Sequence, residues 1–237
     1  YAFLGKQPEG RYVSSAKKLS NADPGDVVKF GVDPTGPVGG SLLANLIQNP
    51  SLLERVNQGR EVGYIIIIVG LFGIGVAFWK LFTLYNMGKA VKKQANSKSH
   101  DQNNPLGRVL AVGEEHMGKD IETLELKLAE AIMAERPAIE RGIPVVKIIS
   151  VVAPLAGLLG TVTGMIVTFQ QITLFGTGDP KIMAGGISQA LVTTVLGLVV
   201  AIPTTLLHSF ANSSARGIIN VLEEQSTGIV AEHSDSN

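Results

Sequence analysis

Cysteine is absent from the 237 residues. Disulfides, thiolate metal sites and cysteine nucleophiles are thereby excluded, and the compartment is left open. An excess of either charge is absent as well: 20 Lys and Arg balance 20 Asp and Glu, so nothing in the charge suggests a nucleic-acid partner. The most informative shortage is local. No Asp, Glu, Lys or Arg occurs over residues 148–178 or 182–215, and none lies between Glu61 and Lys80. The first two of these blocks exceed the roughly 20 residues that a helix needs to cross the hydrocarbon core of a bilayer, and the third, residues 62–79, approaches that length before Lys80. Three of them in one small chain leave no soluble shell to bury them.

What is present then orders itself around three membrane spans, expected at 62–85, 148–174 and 183–210. Tyr64, Trp79 and Tyr85 sit near the ends of the first, where aromatic belts form, and Lys80 lies late enough to snorkel to the interface. Orientation follows from Lys and Arg in the short flanks. Lys89, Lys92, Lys93 and Lys98 follow the first span, and Arg136, Arg141 and Lys147 precede the second. Only Asp179 and Lys181 separate the second from the third. Residues 86–147 and the 211–237 tail are therefore expected inside the cytoplasm, with the 175–182 turn and the N-terminus outside. The chain starts at Tyr1 with no signal-peptide pattern, so an exported N-terminus implies residues upstream. The expected fold class is all-α: a three-span transmembrane helical protein with long helices extending into the cytoplasm.

Outside the spans, residues 1–40 read as turns and short strands, with turn chemistry at Asp23-Pro24-Gly25 and Asp33-Pro34-Thr35-Gly36-Pro37 and a strand suited to 27–32. This region reads as the end of a larger exported domain. Residues 41–61 read as a helix on the outer membrane surface or on that domain, with Ser51 and Glu54 as a capping box and Gly59 as its stop. In the cytoplasmic segment, Met117, Ile121, Leu124, Leu128 and Ile132 recur at three- and four-residue spacing, an amphipathic helix that Pro137 and Pro144 should kink or break.

The second and third spans each carry a stripe. Ser150, Pro154, Gly157, Thr161, Gly164, Thr168 and Gln171 share one helical face. Gly186, Ala190, Thr193, Gly197, Ala201, Thr204 and His208 share another, edged by Gln189 and Thr194. Small residues at such spacing permit close helix packing in lipid; equally, matching stripes fit a polar lining shared by a ring of subunits around a lumen. Intramembrane ionisable groups usually mark proton relays. These two spans offer hydroxyls and amides but no carboxylate, so a travelling proton would need a carboxylate from another chain. An intramembrane enzyme would need paired aspartates or a Ser–His or metal–His set, and His208 stands alone in these spans. No metal or cofactor is expected.

Three segments carry a resemblance over roughly residues 40–220. They are Glu140-Arg141-Gly142-Ile143-Pro144, the run from Ala153 through Leu158-Leu159-Gly160-Thr161-Val162-Thr163-Gly164 to Met165, and the run from Ala184 through Gln189 and Thr194 that continues as Gly197-Leu198-Val199-Val200-Ala201-Ile202-Pro203. In these the chain resembles the MotA/TolQ/ExbB proton-channel family. It looks closest to ExbB, and to the long relatives with a periplasmic N-terminal domain (the TtpC type), whose turn is similar to residues 176–181. The resemblance implies a homo-pentamer in the inner membrane of a Gram-negative bacterium, with a periplasmic N-terminus. It also implies an ExbD-like single-span partner and a TonB-like protein, through which proton flow energises outer-membrane uptake of iron chelates and vitamins. Thr161 and Thr194 carry over as pathway residues, with Thr193 adding a hydroxyl. Gln189 stands where ExbB and TolQ proteins often have Glu, and an amide cannot take up and release a proton at ordinary pH. A TolQ-like or stator-like subunit of another proton-driven machine is the competing reading, although stators of this family have four spans.

Overall fold

A computed structural model describes residues 10–29, 52–97, 101–176 and 180–235. Every regular element among them is helical: α1 (Gly10–Ser20), α2 (Leu52–Gln58), α3 (Arg60–Ala95), α4 (Pro105–His116), α5 (Ile121–Glu140), α6 (Ile143–Phe175) and α7 (Pro180–Asp235). The chain divides into two units, residues 1–55 and 56–237.

In the first unit, α1 replaces the turns and strands expected over this stretch. Its Ala, Lys and Leu favour a helix, and Lys17 and Lys18 in the last turn suit the negative end of the helix dipole. The expected turn follows it. Asp26 N–H donates to the Asp23 carbonyl at 3.0 Å, with Pro24 second and Gly25 third at φ 111°, the pattern of a type II turn. Residues 27–29 are not in a strand. The rest of the expected strand, the turn at 33–37, and residues 41–51 with the capping serine lie outside the described residues.

The second unit is a bundle built on α7, whose 56 residues make a rod about 84 Å long at 1.5 Å per residue. That is more than twice the thickness of a hydrocarbon core of about 30 Å. No break separates its apolar half from its polar half. Ala211, Ala215, Ile218, Ile219 and Leu222 continue a buried stripe into a core with Leu84 and Val91 of α3, Leu106 and Val109 of α4, and Leu124, Leu128 and Ile132 of α5. The amphipathic periodicity of α5 is thus spent on packing, although Met117 and Ile121 at its near end are exposed. Asn104 caps α4 by accepting from Gly107 N–H at 2.8 Å, with Pro105 in the first turn. Asp120 caps α5 in the same way through Thr123 N–H at 3.0 Å. Arg108 grips Glu135 with two bonds of 2.6 and 2.7 Å, tying α4 to α5, and the carboxylate holds the guanidinium further into its charged range.

Pro137 does not end α5, which runs on to Glu140. The break falls at Arg141–Gly142, where Gly142 has φ 87°, a conformation that only glycine adopts without strain. Pro144 then sits in the first turn of α6, where its missing N–H costs nothing. Lys80 is 2% exposed, and its ammonium donates to the Ala138 carbonyl at 3.2 Å. That carbonyl is among the last four of α5, which have no helical donor.

The other half of the bundle has the reverse polarity of a soluble protein. Ile65, Ile68, Leu71, Phe72, Phe78, Trp79 and Phe82 of α3 are more than half exposed, as are Leu155, Leu158 and Leu159 of α6 and Leu191, Val199 and Ile202 of α7. So large an apolar surface demands lipid or other protein. Among the described residues, three helices are long and apolar enough to cross a membrane: Arg60–Ala95, Ile143–Phe175 and Met183–Ser234.

Candidate functional site

The two stripes face each other within one chain, which decides how most of their small residues are used. A Cβ on Gly157 would lie 2.9 Å from the Thr193 carbonyl oxygen, and one on Gly197 would lie 2.7 Å from that of Ala153. A Cβ on Gly164 would meet the Gly186 carbonyl at 2.9 Å, and one on Gly160 would overlap the Thr193 side chain. Backbone thus rests on backbone along α6 and α7, as small residues allow in lipid.

The hydroxyls divide by helical rotation. Successive residues of a helix point about 100° apart, so Thr193 and Thr194 cannot share a role. Thr193 is fully buried against Gly160, its hydroxyl donating to the carbonyls of Gln189 at 3.1 Å and Ala190 at 2.9 Å on its own helix. Thr194 lies at the edge of the contact. Its Oγ1 is 2.7 Å from Thr161 Oγ1 of α6, both half-buried. Around the pair, Thr161 reaches the Gly157 carbonyl at 3.1 Å, and Thr194 reaches those of Gly157 at 3.5 Å and Ala190 at 3.4 Å. Each hydroxyl has one proton to donate and two lone pairs. One threonine therefore donates to the other while the second donates to a carbonyl, and the direction can reverse. Such a pair orients a water or a carboxylate set against its open side; it does not itself titrate near neutral pH.

Gln189 is set about 7–8 Å further along the axis of α7 from Thr194. It is 8% exposed and belongs to a recess of about 460 Å³ with Gln58, Arg60, Gln171 and Ser188. Ser188 donates to Gln58 Oε1 at 3.0 Å, joining the end of α2 to α7. Gln171 Oε1 is buried and finds no donor among the described residues. Arg60 holds φ 47°, the left-handed region that non-glycine residues rarely enter. Gly59 falls where α2 stops, directly after Gln58 as expected, though with ordinary helical angles (φ −69°, ψ −9°); it also saves space, since a Cβ there would lie 3.2 Å from Leu196. The structure therefore brings Thr161 and Thr194 together, turns Thr193 into the packing, and places Gln189 in a separate polar recess. Sequence reasoning did not join Gln58 and Ser188 to that recess, for they are 130 positions apart; the only local sign is a polar side chain at the edge of an apolar block. Among the described residues no group of three or more His, Asp or Glu could hold a metal.

Three membrane-length helices, two of them joined by a hydroxyl pair, define an integral membrane protein. Residues 101–224 match the MotA/TolQ/ExbB proton channel family; this is more than half of the chain, which belongs to that family. A biopolymer transport protein ExbB homolog of Methanothermobacter thermautotrophicus is 27% identical over 189 residues, 73% of this chain and 67% of that protein. Biopolymer transport protein ExbB-like 1 of Synechocystis is 29% identical over 175 residues, 66% and 69% of the two chains. The Biopolymer transport protein ExbB of Aquifex aeolicus is 48% identical over 58 residues, 24% of this chain and 39% of its own length.

Proposed function

We propose that the chain is an ExbB-like proton-channel subunit of an energy-transducing motor in the inner membrane of a Gram-negative bacterium. In this reading five copies form a ring around an ExbD-like partner with one transmembrane helix, and proton flow energises a TonB-like protein for uptake across the outer membrane. The region before the first span lies in the periplasm, residues 86–147 and 211–237 lie in the cytoplasm, and the 175–182 turn faces the periplasm. The long N-terminal type is suggested by the residues before the first span and by the sequence of that turn.

The observation that carries the reading is the Thr161–Thr194 hydroxyl pair, 2.7 Å apart, in two spans that hold no carboxylate. A proton crossing hydrocarbon needs a group that binds and releases it, or a chain of water. Hydroxyls steer such a group but do not replace it. The carrier is then an Asp on the partner helix, set against Thr161 and Thr194, with Gln189 as a neutral neighbour and Thr193 holding the two spans in register. Each protonation state favours a different seating of the partner helix, and cycling between them produces movement.

The test is reconstitution in liposomes with a pH-sensitive dye inside. The chain alone should pass protons at the background rate, and the complex with its partner should pass them faster. Rapid flux without a partner, or full flux after the partner's intramembrane Asp is changed to Asn, contradicts the assignment.

A further inference from the structure

The recess beside Gln189 is separate from the hydroxyl pair and has a chemistry of its own. We infer that it is a hydrated chamber inside the subunit: a binding site for a cluster of water molecules, which supplies protons at that end of the bundle to the route past Thr161 and Thr194. The second half of this statement rests on the proton-channel reading; the first does not.

Three observations converge on water as the occupant. The first is capacity. A recess of about 460 Å³ has room for about fifteen waters at about 30 Å³ each, and Ala184, Gly185 and Gly186 in its lining have almost no side chain to fill it. The second is an unpaired acceptor. Gln171 Oε1 is buried without a donor, a condition that costs about 1–3 kcal/mol when nothing solvates the atom. Gln189, more than nine-tenths buried, brings a second amide to the same space. The third is the kind of ligand these groups accept. The recess offers two amides and the Ser188–Gln58 hydrogen bond, and its one charged group, Arg60, is exposed. An anion would satisfy Arg60 but not an orphan carbonyl oxygen. Water donates and accepts, so it satisfies the Gln171 amide whichever way that group is turned. Arg60, Ala184 and Gly185 in its lining are exposed, so water reaches the recess on that side.

The chamber also gives the amide at position 189 a role that does not require titration. An amide pair in contact with water holds and orients a hydrogen-bonded chain without trapping the proton as a carboxylate would. Hydration near the hydroxyl pair then comes from within each subunit, in addition to any water around the partner helix.

The absence of cysteine makes the test direct. Single variants Ser188→Cys and Gln171→Cys are prepared in the full complex, with Ile65→Cys and Ile68→Cys on the exposed apolar face of α3 as controls. Each is exposed to a membrane-impermeant methanethiosulfonate from each side in turn. The thiolate is the reacting species, and it forms only where water reaches the sulfur. The Ser188→Cys and Gln171→Cys thiols should react from one side about tenfold or more faster than both controls. Rates equal to the controls at both positions would show a dry recess and overturn the chamber, whatever the proton flux. The supply role is read separately through Gln171→Leu in complexes of normal assembly by native mass measurement. Proton flux should fall several-fold, and unchanged flux overturns that role while leaving the labelling result to stand. If Gln171→Leu fails to assemble, Ser188→Ala is read in the same assay, with the same two outcomes.

Discussion

Thr161 Oγ1 and Thr194 Oγ1 lie 2.7 Å apart although 33 positions separate them in the chain. The pair ties α6 to α7 at the edge of an interface made of backbone, glycine and small buried side chains such as Thr193. Replacing either threonine by valine keeps the volume and deletes the hydroxyl. The loss to stability should be small, about 0.5–1.5 kcal/mol for one half-buried hydrogen bond. Function should respond more strongly: the double Thr→Val variant should assemble normally and lose most of its partner-dependent proton flux in liposomes. Unchanged flux would reduce the pair to a packing device.

Close approach of α6 and α7 makes a second prediction, for Gly197. A methyl group there meets the Ala153 carbonyl oxygen at 2.7 Å and the Gly157 Cα at 3.2 Å. Backbone yields less readily than a side-chain tip, so Gly197→Ala should cost about 1–3 kcal/mol. Gly75→Ala, on α3 where nothing lies within 4 Å, should be neutral or mildly stabilising through helix propensity. Thermal unfolding in detergent orders the two variants; equal melting temperatures would contradict the contact.

The Lys80–Ala138 bond predicts a local effect. Lys80→Met preserves the apolar stem and removes the donor from one of the last carbonyls of α5. Amide exchange at residues 140–143 should accelerate, by an amount corresponding to about 1–2 kcal/mol of lost local protection, while the far end of α5 is unaffected. Uniform acceleration along α5 would mean that the contact is not what holds this corner.

Asp120 gives a pH dependence. Its carboxylate accepts from Thr123 N–H and from the Thr123 hydroxyl, which holds its pKa below the ordinary value of 3.8. A carboxylate whose folded pKa is depressed contributes stability that is fully present above the unfolded value and is lost as pH falls through the folded one. The first turn of α5 should therefore be intact at neutral pH and fray as the solution is acidified below about 4. Asp120→Asn keeps a capping oxygen without a titrating group, so its first turn should not follow this acid transition. Backbone amide shifts of residues 121–124 across an acid titration report both; an identical transition in the Asn variant would place the titrating group elsewhere.

The three membrane-length helices and the all-helical class were legible because hydropathy over 20 residues is a local property. The apolar face of α5 was legible at Leu124, Leu128 and Ile132 for the same reason. Local signals misled where a neighbour overrode them. Pro137 stays within α5, and the break moves to Gly142. Residues 10–20 form a helix although turn residues follow closely. Lys80 finds a carbonyl 58 positions away, a partner that no local pattern names.

By itself the sequence determined that three apolar segments without acids would cross a membrane, that two of them carry matching stripes of small and polar residues, and that hydroxyls and amides are the only chemistry on those stripes apart from His208. The family followed from the same motifs. Tertiary structure alone decided which stripe residues pack and which remain available. A helix fixes angles between its own side chains, but its rotation about its axis is set by what it rests against. With α6 and α7 pressed together through glycine, Thr193 turns inward against Gly160 and Thr194 turns to meet Thr161. Gln189 is carried into a recess whose other walls, Gln58 and Gln171, come from helices that the sequence lists far apart.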